Sequence, residues 1–205
     1  ALIKLFRITG KHEYLLTASQ FIENRGRMLS PGLNLLKSFI SHSRRSSKAE
    51  KQKKEAGQSG PGFDFTETMQ EEEPPFLKLR SFLSFFSGKY QQQHKPLRKQ
   101  LEPVGHSVRW AYFMTGAAML YRETGDTSIL EVITGAWEQC VDTKMYVTGG
   151  IGSLPIIEGF GKPFELPDQF AYCETCAAIG NIFFNQQMLH ATRNARYADL
   201  IEWQL

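Results

Sequence analysis

The sequence predicts an all-α fold, an α/α toroid in which helix pairs close around a central cavity. Two observations carry that reading. Apolar residues recur at helical spacing through most of the chain, and a short turn motif recurs three times between the helical stretches. A third observation, a long loop rich in glycine and proline around residue 150, places function at one end of the toroid.

The turn motif first occurs as Arg7-Ile8-Thr9-Gly10-Lys11-His12-Glu13-Tyr14-Leu15 and again as Glu123-Thr124-Gly125-Asp126-Thr127-Ser128-Ile129-Leu130. A more degenerate copy is Ala191-Thr192-Arg193-Asn194-Ala195-Arg196-Tyr197-Ala198-Asp199-Leu200. Each carries Gly or Asn, residues that tolerate the left-handed conformation ending a helix, so each marks an αα-hairpin. The copies are irregularly spaced, which excludes a regular 34-residue solenoid. Tyr14, Ala18, Phe21 and Ile22 form the apolar stripe of the first hairpin. Val108, Ala111, Tyr112, Thr115, Ala118 and Met119 form that of a second helix. Leu130, Ile133, Trp137 and Val141 follow, and then Tyr197, Leu200, Ile201 and Leu205.

Between the first hairpin and Tyr90 the composition shifts. Ser41 to Gly60 holds six Lys or Arg against two acids, and Glu71-Glu72-Glu73 precedes Pro74-Pro75. Its Ser, Lys, Gln and Gly content predicts a solvated, disordered insertion over about 41–73. No aromatic residues are interleaved to stack bases, so nucleic acid is not an expected partner. From Thr143 to Asp168 the helical pattern breaks again. Tyr146-Val147-Thr148-Gly149-Gly150-Ile151-Gly152-Ser153 reads as extended, and Pro155, Pro163 and Pro167 exclude regular helix. Phe160, Phe164 and Phe170 favour order there. The glycine run follows no buried strand and lacks a Walker lysine, which argues against a phosphate cradle.

With 205 residues, 41% hydrophobic, the chain can bury a sizeable core, and its net charge of +3 is mild. No apolar run approaches the roughly 18 residues of a membrane span, so no membrane partner is expected. Ala1 lacks both an initiator Met and a signal-peptide pattern, and both ends read as cut within helices; a cytoplasmic location is the working expectation. The three cysteines, Cys140, Cys173 and Cys176, argue against a disulfide framework and for a reducing or metal-binding context.

Tyr172-Cys173-Glu174-Thr175-Cys176-Ala177-Ala178-Ile179-Gly180-Asn181 is the most informative stretch. It puts a carboxylate and two thiols at the start of an apolar helical pattern, and zinc takes thiolate and carboxylate ligands. Taken alone, Glu174 reads equally as a first-turn acid favoured by the helix dipole, and Cys176 as a small core residue. Glu158 alone reads as a solvated loop acid. His106 alone reads as a histidine satisfied locally at a helix start.

Three motifs in order alter that balance. Glu102-Pro103-Val104-Gly105-His106-Ser107-Val108-Arg109, the loop Tyr146 to Ser153, and Phe164-Glu165-Leu166-Pro167 followed by Tyr172 to Ala177 resemble glycoside hydrolase family 127, the β-L-arabinofuranosidases. The resemblance covers about 1–26 and 90–205. It implies a partial (α/α)6 barrel and a retaining glycosidase that releases terminal β-L-arabinofuranose or a related furanoside. The nucleophile it implies is a zinc-bound cysteine, with a glutamate as acid/base. By position, Glu158 matches the acid/base, Glu174 and Cys176 match two of four Zn2+ ligands, and His106 matches a substrate contact. Tyr172 and Arg109 line or brace the cavity, or else only pack. Cys173 matches no ligand position and is expected to be structural. The family's other two ligands, an adjacent cysteine pair including the nucleophile, have no counterpart here, so the chain by itself is expected to be inactive. Ile156-Ile157 stand where relatives carry small or polar residues. A helical-repeat binding scaffold and an inactive relative are the alternatives. A scaffold has no use for Glu158 together with Glu174 and Cys176.

Overall fold

The computed structural model describes residues 1–27, 75–169 and 171–205. The expected disordered insertion at 41–73, like Phe170, lies outside these residues. The described chain is all-α. Its helices are α1 (Leu2–Thr9), α2 (His12–Glu23), α3 (Pro75–Phe86), α4 (Ser107–Thr124), α5 (Thr127–Thr143), α6 (Thr175–Thr192) and α7 (Arg196–Gln204). Two-residue strands β1 (Gly105–His106) and β2 (Gly159–Phe160) add one short antiparallel ladder.

The three turn motifs join α1 to α2, α4 to α5 and α6 to α7, and one device closes all three. A threonine at the helix end donates its hydroxyl to the carbonyl four residues back: Thr9 to Leu5, Thr124 to Leu120 and Thr192 to Met188. The same oxygen then accepts the N–H two residues on, from Lys11, Asp126 and Asn194. The residue between is left-handed each time: Gly10, Gly125 and Arg193. This corrects the expectation that Gly or Asn takes that position. In the third hairpin Arg193 takes it and Asn194 follows, so the recurring determinant is the threonine. Asp126 completes the second turn as the N-cap of α5, accepting from the Ser128 N–H.

Helix α4 is central. It packs most extensively on α6 and also on α2 and α5. Surrounded in this way, it buries Trp110, Ala111, Met114, Ala117, Ala118, Met119 and Leu120, more than half a turn of the helix all along its length. The predicted stripe is therefore only partly right: Ala111, Ala118 and Met119 are core, whereas Tyr112 is exposed and lies near Phe183. Phe21 of α2 is likewise exposed, while Ala18 and Ile22 are buried. In α7, Tyr197 and Leu200 are core and Leu205 is exposed. Alternation fails for a helix with neighbours on several sides, because a moment needs one dry and one wet face. The stripe of α5 holds: Ile133 and Trp137 are buried beside Ile129, Val132, Ala136 and Cys140.

Gly180 lets α4 and α6 approach; a Cβ there would stand 3.0 Å from that of Ala111. Trp110 fills the seam, edge-on to Phe160 at 5.3 Å and to Phe184 at 5.7 Å. Trp137 meets Tyr197 at 4.8 Å and donates its indole N–H to Asn185 Oδ1, which ties α5 to α6 and α7. The adjacency α2–α4–α6, each paired with its own partner helix, is the repeating unit of an α/α barrel.

The loop from 144 to 174 lies across the end where α4 and α6 begin. Tyr146 to Ser153 is a turn rather than an extended run. Gly149 N–H bonds the Tyr146 carbonyl, and a bridge pairs Met145 with Ile151. Phe160 is buried as the aromatic content suggested, but Phe164 is 74% exposed with φ at 61°. Arg80 of α3 grips Glu165 through both carboxylate oxygens at 2.6 Å. Trp203 and Gln204 of α7 donate to the carbonyls of Val147 and Gly149. Among the described residues, no helix is long and apolar enough to cross a membrane.

Candidate active site

His106 is the N-cap of α4, and Glu174 is the N-cap of α6. Neither side chain caps its own helix, so both are free to face the space between the two helix starts. The cap of α4 comes from elsewhere. The Glu158 carbonyl accepts both the N–H of Ser107 at 3.0 Å and its hydroxyl at 2.8 Å. That places Glu158 against the first turn of α4 through its backbone and leaves its carboxylate available.

Glu158 ends a tight turn from Pro155, closed by its N–H on the Pro155 carbonyl and by a bridge between Leu154 and Gly159. Its φ is 47°, a left-handed conformation that costs a non-glycine residue about 1 kcal/mol. Burial of Ile157 anchors the turn, which gives a physical reason for an apolar residue before the acid. The β1–β2 ladder then fixes the register, with Gly105 opposite Phe160 and His106 opposite Gly159. Both glycines are required by close approach. A Cβ at Gly159 would fall 2.1 Å from the Gly105 oxygen, and one at Gly105 would fall 2.1 Å from the Lys89 oxygen.

These constraints bring three of the expected residues together. Metal-ligating atoms of His106, Glu158 and Glu174 all lie within 4.8 Å of one another, and His106 Nε2 is 3.2 Å from Glu158 Oε2. Tyr172 turns its hydroxyl toward both carboxylates. Burial first, then the hydrogen bond and charge of Glu158, push that phenol up to about 12, so it stays a donor at neutral pH. Burial holds the His106 imidazole below its ordinary value; Glu158 opposes the shift and Arg109 adds to it. Burial and then the Glu158 charge raise the Glu174 carboxyl, against a hydrogen bond from Tyr172. The two helix N-termini add positive potential beside these acids.

Cys176 is exposed in the first turn of α6 and does not join the close group. Cys173 is half-buried against Gly150 with its N–H on the Gly152 carbonyl, a packing role in line with the sequence reading. The trio His106, Glu158 and Glu174 has the ligand types and spacing to hold a metal ion. Glu174 Oε1 is buried without a hydrogen-bond partner, an acceptor that a cation would satisfy. The residues present therefore fit a cation at the start of α6.

Sequence reasoning missed the residues that align this site. Lys144 is buried, and its ammonium donates to Glu102 Oε1 at 2.9 Å and to the carbonyls of Pro103 at 2.8 Å and Gly161 at 2.9 Å. It thus clamps the segment leading into His106 to the segment leaving Glu158. Gln92, fully buried, donates to the carbonyls of Tyr90, Val104 and His106. Gln100 donates in turn to the Gln92 carbonyl. Tyr90 packs its ring 5.6 Å from that of His106 and accepts the His106 N–H on its carbonyl. No spacing signals such residues, because their partners are mostly backbone carbonyls, which every residue type carries, at separations from 2 to 41 residues.

The chain is similar to known proteins. The chain is 38% identical over 123 residues to the non-reducing end β-L-arabinofuranosidase of Bifidobacterium longum subsp. longum, covering 60% of the chain and 19% of that protein. Among solved structures it is similar to a GH127 β-arabinofuranosidase, with TM-score 0.68 and 31% identity over 99% of the chain. It is also similar to a GH127 β-L-arabinofuranosidase from Geobacillus stearothermophilus T6, with TM-score 0.70 and 30% identity over 99% of the chain. It spans 23% and 26% of those two chains, about a quarter of their length. The model of the β-L-arabinofuranosidase GH127 catalytic domain matches residues 1–205, and the chain belongs to that family.

Proposed function

We propose that the protein carrying this chain is a retaining glycoside hydrolase releasing terminal β-L-arabinofuranose, or a related furanose, from a carbohydrate. The observation that supports this most is the meeting of His106, Glu158 and Glu174 from three separate segments at one end of the helical hairpins. An isolated binding scaffold has no reason to hold an acid in a left-handed turn against an imidazole and a second carboxylate. Neither nucleic acid nor a membrane enters this reading.

In it, Glu158 is the acid/base. Its carboxyl protonates the departing glycosidic oxygen and then removes a proton from the attacking water. His106 orients that carboxyl through Nε2 and meets a sugar hydroxyl, and Tyr172 donates into the space between the two acids. Retention also needs a nucleophile on the opposite face of the sugar. No two cysteines are adjacent in these 205 residues, so this reading takes the thiolate from outside them. Glu174 and Cys176 would hold Zn2+. Bound there, zinc supplies a cysteine in its thiolate form at neutral pH.

The test uses the full-length protein and an aryl β-L-arabinofuranoside. Turnover is expected, with Glu158→Gln lowering kcat by about 10³-fold. About one zinc per chain should survive dialysis and fall on Glu174→Gln or Cys176→Ser. The isolated 205-residue chain should show neither turnover nor tight zinc. An inactive wild type, or Glu158→Gln at wild-type rate, overturns the reading.

A further inference from the structure

Arg109 sits one helical turn after His106, on the same side of α4. Its guanidinium lies over the Tyr90 ring, 4.9 Å from the centroid. Tyr90 is held in turn by Phe85, whose ring is 4.2 Å away, and by a backbone carbonyl that receives the His106 and Gln92 N–H groups. The half-buried Arg80, from the helix that holds the loop over this end, is spent on Glu165. Arg109 is exposed and, among the described residues, has neither a hydrogen-bond acceptor nor an ion-pair partner. An arginine that is fixed in place by an aromatic face, yet has its N–H donors unused, is an unfilled binding element.

Its neighbours select what it binds. The Tyr90 ring under Arg109 lies 5.6 Å from that of His106, and His106 Nε2 is 3.2 Å from Glu158 Oε2, so cation and acids share one space. Two carboxylates already occupy it, and a free anionic group on the ligand would be repelled by them. A pair of neighbouring hydroxyls is neutral, offers two acceptors, and matches the planar fork of a guanidinium.

We propose that Arg109, seated on Tyr90, is a substrate-binding residue that donates a forked pair of hydrogen bonds to a vicinal diol of the saccharide beside Glu158. Tyr90 is its positioning residue. The assignment rests on the glycosidase reading above and adds a specificity determinant to it.

Steady-state kinetics of the full-length protein test this, comparing the aryl furanoside with a disaccharide substrate. Arg109→Ala should raise KM for the disaccharide at least 10-fold, with kcat changed less than 3-fold and the unfolding midpoint unmoved. Arg109→Lys, which retains charge but lacks the fork, should recover less than half of that loss. Tyr90→Leu keeps Arg109 and removes its seat, and should raise KM by a smaller factor of about 3–5. If Arg109→Ala leaves KM unchanged in an active enzyme, this assignment alone fails. If it lowers the unfolding midpoint and kcat together with KM untouched, Arg109 is a packing residue. If the wild-type enzyme turns over neither substrate, the functional reading and the assignment fall together.

Discussion

Replacing Lys144 with Met in the full-length protein tests whether one buried ammonium aligns the site. The side chain is 2% exposed, and all three N–H donors are used. Burial pushes the amine below its usual value, while Glu102 pulls it back up through its hydrogen bond and charge. Met restores most of the stem volume and removes the cost of burying the charge. It leaves the Pro103 and Gly161 carbonyls unsatisfied at about 1–2 kcal/mol each. Glu102, 54% exposed, rehydrates and adds little. The expected loss is about 2–4 kcal/mol, read as a lower urea midpoint at unchanged m-value. Because the clamp joins the arms carrying His106 and Glu158, kcat should fall about 10²-fold, the order expected of a displacement near 1 Å. A stability change below about 0.5 kcal/mol with wild-type kcat would refute the reasoning. It would show that the β1–β2 ladder alone holds the two arms in register.

Two further outcomes are expected. His94 is pushed down to about 4, chiefly by burial and then by Lys95 and Lys89. Its folded value lies below the ordinary 6.5, so the unfolded chain takes the proton first as pH falls below that point. Stability should therefore drop by about 1–2 kcal/mol between pH 7 and pH 4, after discounting for partial exposure, and His94→Gln should flatten the decline in urea midpoints. Gly159→Ala puts a methyl group 2.1 Å from the Gly105 oxygen, backbone against backbone. It should cost more than about 2 kcal/mol and abolish turnover, whereas Gly116→Ala, in open space on α4, should be neutral or stabilising by up to about 1 kcal/mol; thermal unfolding of both separates steric demand from helix propensity.

The parts of this molecule legible in its sequence are those where one residue type solves a local problem. Helix starts at Ser107 and Thr175 follow from glycine, histidine and glutamate placed ahead of apolar patterns, and the structure begins α4 and α6 there. The hairpin turns were legible for a partly mistaken reason. Glycine drew attention at residues 10 and 125, while the hydroxyls of Thr9, Thr124 and Thr192 make the recurring bonds. Inward-facing residues were harder to assign. Periodicity pointed Tyr112 and Phe21 at the core, and both are exposed; for Tyr112 the reason is that α4 packs on three neighbours and has no single apolar face. Lys144, Gln92 and Gln100 were illegible altogether. A buried lysine or glutamine is defined by the carbonyls it collects, and those come from segments whose proximity is a tertiary fact. Glu158 could be assigned a role only through resemblance. Its left-handed turn and the service of its carbonyl to Ser107 have no signature in Ile156-Ile157-Glu158-Gly159.

The caps of α4 and α6 separate inheritance of shape from inheritance of chemistry. At most helix starts the capping side chain is consumed in holding the helix, so altering it unravels the turn. Here His106 and Glu174 occupy those positions without serving them, and the Glu158 carbonyl, present whatever side chain that residue carries, does the holding for α4. Lineages descended from such a protein can exchange imidazole for amide or carboxylate for thiol at the reacting end while the barrel stays folded. Diversification toward new sugars and decay into a silent, well-folded relative start from the same substitutions, and only an assay of the chemistry distinguishes them.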